Sequence, residues 1–350
     1  MTSRMLQPAR VAFASVFMML TLVALAGCSF QPDEEVWEIS GPVFGTSYHI
    51  SVVLPEDHGK LEALAKGIDE TLEGVDVSMS TWREDSELSK LNRRDDQSDW
   101  IPVSDGLFEV LARADEISRL TDGAFDVTIG PVVNLWGFGP DARPEQIPSE
   151  ESLARALATT GYEHLAFRPE PPAVKADVPQ YIDLSAIAKG YGVDVVARYL
   201  DSEGIDAYLV EIGGEIRTSG KKPDGNVWRL AIEQPVESTE HRVNLVVSLP
   251  SRAMATSGDY RNYYESEGRR FSHTIDPGTG QPIAHHLASV TVIADDSMTA
   301  DALATGFTVM GYERASALAT RENIPAYFII RTENGFEGHQ TPAFSSYVTQ

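Results

Sequence analysis

Apolar and polar positions recur along this chain with a period that changes from segment to segment. From Val36 to Leu54 the alternation is two-fold, as in Tyr48-His49-Ile50-Ser51-Val52-Val53, which predicts strands with a turn near Gly41-Pro42. Residues 59–77 change to the helical period, with Leu61, Leu64, Ala65, Ile68 and Leu72 on one side. Asp85 or Ser86 caps a short helix through Leu91, and Ser104 or Asp105 caps a longer one through Thr121. Residues 122–131 read as a turn, an extended segment and a stop, followed over 132–139 by a patch of aromatics and glycines. Residues 141–151 and 168–180 are Pro-rich and read as loops around a short helix over 152–160. A strand-like run from Tyr181 leads into a helix ending at Leu200. Further strands are predicted over 207–212, 227–233, 243–249, 270–275, 287–294 and 324–331, with turns at Gly213-Gly214, Ser257-Gly258-Asp259-Tyr260 and 276–280. Strands arriving in antiparallel-looking pairs between helices predict an α+β fold, and no repeat, low-complexity tract or clear domain boundary interrupts it.

Composition sets limits on this picture. At 42% hydrophobic and 23% charged, the 350 residues have the means for a substantial core. The formal charge of −24 argues against nucleic acid as a partner, since phosphate backbones are bound by Lys and Arg. An anionic ligand would need basic groups, backbone amides or a cation supplied locally. The first residues follow a targeting pattern: Arg4 and Arg10, then an uncharged apolar run from Val11 to Ala26, then Leu25-Ala26-Gly27-Cys28. The run is short for a membrane span, and Leu-Ala-Gly-Cys resembles a bacterial lipoprotein signal in which the cysteine is lipidated. Residues 1–27 are thus expected to be a signal peptide, 28–35 a polar tether from Cys28, and 36–350 the working domain. Losing 1–27 removes two arginines and no acid, so −24 becomes −26, and Cys28 is the only cysteine.

Several segments could carry chemistry. Ser297-Met298-Thr299-Ala300-Asp301-Ala302-Leu303-Ala304-Thr305 is a good helix sequence with Asp301 and Thr305 one turn apart on one face. A carboxylate and a hydroxyl side by side suit a hard cation such as Mg²⁺, although acids in the first turn also arise from the helix dipole alone. Asp183 can accept from a ring N–H or a ribose hydroxyl, and Lys189, at the start of the next helix, can meet a phosphate. His273, before Asp276-Pro277, is a candidate proton acceptor or phosphate donor. Trp82 and Phe125 could stack on a planar ring or simply fill core. His285 and His286 are adjacent and point apart, a poor metal pair. No Walker-A loop and no Gly-x-Gly-x-x-Gly after a strand is present.

Six segments occur in an order that resembles one family. They are 79–89 (Met-Ser-Thr-Trp-Arg-Glu-Asp-Ser-Glu-Leu-Ser), 122–128 (Asp-Gly-Ala-Phe-Asp-Val-Thr), 183–190 (Asp-Leu-Ser-Ala-Ile-Ala-Lys-Gly), Gly213-Gly214-Glu215, 273–280 (His-Thr-Ile-Asp-Pro-Gly-Thr-Gly) and 300–305 (Ala-Asp-Ala-Leu-Ala-Thr). The chain resembles the FAD:protein FMN transferases, the ApbE-type lipoproteins formerly labelled thiamine-biosynthesis lipoproteins, over about residues 36–335. That resemblance implies a single mixed α/β domain of ApbE-like fold with FAD in a cleft. It implies Mg²⁺ held by Asp301, Thr305 and the backbone carbonyl of Ala186. Phe44, Trp82, Ala124, Phe125, Asp126, Asp183, Lys189 and His273 match FAD-binding positions; many relatives have Met at the first and Tyr at the second. His273 and Asp301 are the implied catalytic residues. The implied reaction moves FMN from FAD to a Thr or Ser hydroxyl of a target flavoprotein and releases AMP. Implied acceptors are flavoprotein subunits of membrane redox pumps, of the Na⁺-translocating NADH:quinone reductase or Rnf type. The implied setting is the inner membrane, facing the periplasm. Two other readings use the same ligands: an Mg²⁺-dependent FAD pyrophosphatase giving FMN and AMP, and a non-catalytic flavin-binding lipoprotein.

Overall fold

The computed structural model describes residues 33–56, 59–140, 147–235, 242–258, 263–266 and 269–349. The expected signal peptide, Cys28 and most of the tether lie outside these residues, as do Asp259 and Tyr260 of an expected turn. Glu34 and Glu35, expected in the tether, are already in the first strand, paired with Pro55 and Leu54.

An eight-stranded sheet organises the chain. Its strands are β1 (Glu34–Val43), β2 (Thr46–Pro55), β3 (Tyr208–Ile212), β4 (Glu215–Ser219), β5 (Ala253–Gly258), β6 (Leu287–Ala294), β7 (Ala326–Thr332) and β8 (Gly335–Gln340). They lie side by side in chain order, and every neighbouring pair is antiparallel. The helices are α1 (Leu61–Met79), α2 (Glu87–Asn92), α3 (Asp105–Leu120), α4 (Gly130–Leu135), α5 (Glu150–Leu157), α6 (Ala188–Ser202), α7 (Ser297–Met310) and α8 (Tyr312–Arg321). The first six fall between β2 and β3, and the last two between β6 and β7. This is the α+β arrangement that the pairing of strands predicted.

The turn expected at Gly41-Pro42 is elsewhere. Gly41 pairs with Tyr48 and Pro42 with Ser47, and the chain reverses at Phe44-Gly45, with φ of 48° and 74°. Positive φ at both central residues is the two-residue hairpin geometry that matches strand twist. Pro42 is tolerated because β1 is an edge strand, where a missing N–H breaks no ladder bond.

Each strand's two-fold pattern assigns its faces. Tyr48, Ile50, Val52 and Leu54 turn one way, against Leu64, Ile68 and Leu72 of α1 and Val193, Val196 and Leu200 of α6. Further along the sheet, Val290, Val292 and Phe328 meet Leu303 and Phe307 of α7. On the opposite face Met254, Ile293, Tyr327 and Ile329 are covered by a hairpin, Trp228–Glu233 paired with Val243–Leu249, and by Phe344. With both faces buried at the centre, β6 is apolar almost throughout, which is why it read as a continuous run.

Other differences have local causes. Residues 122–131 are not extended: Asp126 caps a single 3₁₀ turn, Val127–Ile129, that runs into α4. The Pro-rich 168–180 stretch contains half of a hairpin, Leu165–Pro169 with Pro172–Ala176, whose prolines sit at its tip. Strands β4, β5 and β8 had no sequence signature because polar residues occupy many of their positions. Among the described residues no helix is long and apolar enough to cross a membrane.

Candidate active site

Helix α7 carries the site, and its N-terminus is anchored three times. Asp296 caps it, accepting from Thr299 N at 2.7 Å. Asp194 of α6 accepts from Ser297 N at 3.0 Å and Met298 N at 2.9 Å. Arg217 of β4 donates to the same Asp194 at 2.6 Å. Burial pushes the Asp194 carboxyl up against these donors, which favour its charged form. The helices touch backbone to backbone: a Cβ at Gly190 would lie 2.4 Å from the Ser297 carbonyl oxygen, so only glycine fits. Asp194 was invisible to sequence reasoning. A lone Asp among the valines of α6 was its one signal.

One turn into α7, Asp301 is only 5% exposed. Its Oδ2 accepts from Gly190 N at 3.1 Å and lies 3.9 Å from Lys189 Nζ. Lys189 donates to Glu215 Oε1 at 2.6 Å, so one ammonium serves two buried carboxylates. Glu215 opens β4 after Gly213-Gly214, whose φ values of 60° and 107° form the tight reversal from β3. Burial would lower the Lys189 pKa, but Asp301 and Glu215 hold it above the usual lysine range. Burial raises both carboxylates, while Lys189 pulls each back down. Glu215 belonged to a motif quoted above but had no expected role.

These groups line one large cleft of about 1060 Å³. Into it also face Ala124, Phe125, Asp126, Asp183, Ala186, His273 and Thr305. Nine of the residues singled out from the sequence, spread from 124 to 305, thus share one cavity. Two stand apart from it. Trp82 is 69% exposed in the segment after α1. Phe44, at the hairpin tip, packs its ring against Gly192, where a Cβ would lie 2.9 Å from it.

The segment before α6, expected as a strand, is irregular and held by side-chain amides. Asn92 exchanges two 2.8 Å hydrogen bonds with the backbone of Ile182, and Asp183 N donates to Val127 O at 2.7 Å. Asp183 Oδ1 then accepts from Ser185 N at 2.9 Å, an Asx turn that points the next residues into α6. His273 is on a bend between short strands, near the edge of Phe138, rather than inside a strand.

Asp126 is committed to architecture. Oδ1 accepts from Thr128 N at 2.8 Å and Thr128 Oγ1 at 2.7 Å, and Oδ2 from Tyr162 N at 3.0 Å. The donor set around Asp301 differs. Gly190 N, in the first turn of α6 and so without an intrahelical acceptor, donates to Asp301. Among the described residues no backbone N–H donates to Ala186 O, and neither Asp301 Oδ1 nor the Thr305 hydroxyl has a partner. A carboxylate oxygen, a carbonyl and a hydroxyl left open on one cleft wall fit a small hard cation that keeps part of its water shell.

A helix that presents open hard-oxygen donors beside a lysine-bridged carboxylate pair, in a cleft lined from both faces of an antiparallel sheet, has the donors of a phosphate-handling enzyme site. The family model described as the ApbE family matches residues 44–328, and the chain belongs to that family. It is 47% identical over 332 residues to the FAD:protein FMN transferase of Vibrio cholerae serotype O1, covering 94% of this chain and 97% of the relative. To the enzyme of that name from Escherichia coli K12 it is 38% identical, covering 97% and 98%. Among solved structures, flavin transferase ApbE from Vibrio cholerae superposes with a TM-score of 0.83 at 45% identity, covering 90% of this chain and 99% of that one. The apo flavinyl transferase ApbE of Pseudomonas stutzeri gives 0.82 at 40%, covering 89% and 96%.

Proposed function

We propose that this chain moves the FMN half of FAD onto a threonine or serine hydroxyl of a target flavoprotein, in a step that needs Mg²⁺. The chain is a FAD:protein FMN transferase, as its relatives of matching length are named. The observation that carries the finer reading is the set of open oxygens around Asp301, beside the lysine that bridges Asp301 and Glu215.

The step balances without a redox partner. The hydroxyl oxygen forms a bond to the FMN phosphorus, the bridging P–O bond to AMP breaks, and the hydroxyl proton goes to a base. Asp301, Thr305 and the Ala186 carbonyl would hold Mg²⁺, which supplies charge neutralisation at the diphosphate. Lys189 reaches the phosphate from the start of α6, held in place by Glu215. Such transfers depend mainly on positioning and charge neutralisation. Asp183, Ala124 and Phe125 position the flavin or adenine, and Asp126 supports that wall through its backbone cap. His273 takes the hydroxyl proton. The local cation and Lys189 answer the problem posed by an acidic chain, whose overall field repels a nucleotide.

Cys28 is proposed as the lipidated residue that holds the domain at the inner membrane, facing the periplasm. The proposed acceptors are flavoprotein subunits of Na⁺-translocating NADH:quinone reductase or Rnf pumps on that side. Incubating the chain with FAD, Mg²⁺ and a purified acceptor subunit, followed by intact-mass spectrometry, tests this. One FMN covalently bound at a single Thr or Ser of the acceptor is expected. Free FMN and AMP with an unmodified acceptor would identify a pyrophosphatase instead.

A further inference from the structure

A second stretch of the cleft lining has no role in the chemistry above. Ala231, Ile232 and Glu233 belong to the strand Trp228–Glu233. Among the described residues that strand pairs on one side only, with Val243–Leu249. The hairpin's opposite outer edge is covered: Val247 bridges Val348, and Thr349 N donates to Val246 O at 3.0 Å. This bond fixes the orientation of the whole hairpin. In an antiparallel ladder a residue's N–H and C=O point to the same side, and successive residues point to opposite sides. Val246 faces the C-terminal segment, so Val247 faces its partner Leu230, and Leu230 faces back. Arg229 and Ala231 consequently turn their N–H and C=O outward. Among the described residues nothing bonds to them there. Ala231 is exposed and Ile232 is 3% exposed, so their side chains lie on opposite faces, yet both line the cleft. The strand meets the cleft edge-on.

We infer that this edge is the docking site for the acceptor polypeptide, which binds as an added extended strand and carries its hydroxyl residue into the cleft. The inference rests on the transferase reading, which requires a second, polypeptide substrate beside FAD. An open strand edge is a template for another chain, and natural proteins usually cover or blunt one. Among the described residues, one edge of the hairpin is covered and the edge at the cleft is not. Strand addition draws affinity from main-chain hydrogen bonds and takes its selectivity from alternate side chains. Acidic side chains such as Glu211 line the cleft on a chain of formal charge −24, so the docking segment is neutral or basic.

Ala231→Pro removes the outward N–H while leaving the ladder to Val243–Leu249 intact, since proline is tolerated on an open edge. With a purified Na⁺-translocating NADH:quinone reductase flavoprotein subunit as probe, KM for the acceptor should rise at least tenfold. FAD affinity, read by flavin fluorescence, should stay within twofold. Ala231→Ser, which keeps the N–H, should match the parent chain. Unchanged acceptor KM in Ala231→Pro, or FAD affinity lost in parallel with transfer, would overturn the inference. Hydrogen exchange on the unaltered chain gives a test independent of how the proline folds. The amides of Arg229 and Ala231 should gain protection when the acceptor is added to the FAD-loaded chain, and no gain contradicts docking at this edge. Absence of any covalent adduct with the unaltered chain would sink the transferase reading instead, and the exchange result still decides whether the edge binds the probe.

Discussion

Asp126 and Asp301 are the same residue type, both buried, both lining the same cleft, and both pushed up by burial. They differ in what their oxygens do. Asp126 gives both to the backbone and hydroxyl of its own neighbourhood, holding residues 126–129 against the segment at Tyr162. Asp301 gives one to Gly190 N and leaves the other open beside two more open oxygens. Burial alone therefore does not separate the two carboxylates; an oxygen without a partner in the cleft does.

The strongest way to break the comparison is to remove each carboxylate. Asp301→Ala should lower FMN transfer by about a thousandfold, on the scale of lost transition-state charge stabilisation. Its melting temperature should fall less than that of the Asp126 variant, since only the Gly190 N–H is orphaned and Lys189 keeps Glu215 as partner. Asp126→Ala should do the reverse. It orphans three donors at ~1–3 kcal/mol each, so the melting temperature should fall by several degrees. Its transfer rate should fall only with the folded fraction. A thousandfold loss of transfer in a fully folded Asp126→Ala would erase the distinction.

Lys189→Met should come next. It removes the proposed phosphate contact and leaves Glu215 and Asp301 without the ammonium between them. Breaking a buried ion pair costs about 3–5 kcal/mol, so stability and FAD affinity should drop together. Chemical denaturation and FAD titration measure the two. A variant as stable as the parent would show that Lys189 does not hold the pair.

The pH dependence of Asp126 sharpens the same contrast. Its folded-state pKa is raised, first by burial, over the ordinary value near 3.9. The native state thus prefers the protonated form. The stability that this preference contributes is present below the ordinary value and is lost as pH rises through the native one. Asp126→Asn cannot ionise, so its melting temperature should vary less with pH from about 4 upward than that of the parent. Equal slopes would contradict the assigned direction. The smallest effect is expected at Trp82. Trp82→Ala should change stability by less than ~0.5 kcal/mol, because the ring is 69% exposed. A drop in FAD affinity in that variant would place the ring on the bound flavin.

Much of this site could be read before folding because its residues come in short local patterns. Asp301 and Thr305 follow helical spacing, and the Asp183–Gly190 run marks the start of α6. Residues whose roles depend on distant partners gave no such signal. Asp194 matters because α7 begins against it, more than a hundred positions later in the chain. Glu215 matters because Lys189 reaches it across the β3–β4 reversal. Strand β5 was obscured because small and polar residues line the sheet beneath α7, where close helix packing needs them. The Phe44-Gly45 turn was missed because glycine and proline at 41–42 gave the stronger local turn signal, and only pairing register overrules it.

The central claim is that the open oxygens of Asp301, Thr305 and Ala186 form the cation site. Calorimetric titration of Mg²⁺ into the FAD-loaded chain, beside the same titration of Asp301→Ala, tests it most directly. One Mg²⁺ binding to the parent and no measurable heat in the variant is the predicted result. Equal Mg²⁺ affinity in the two would contradict it.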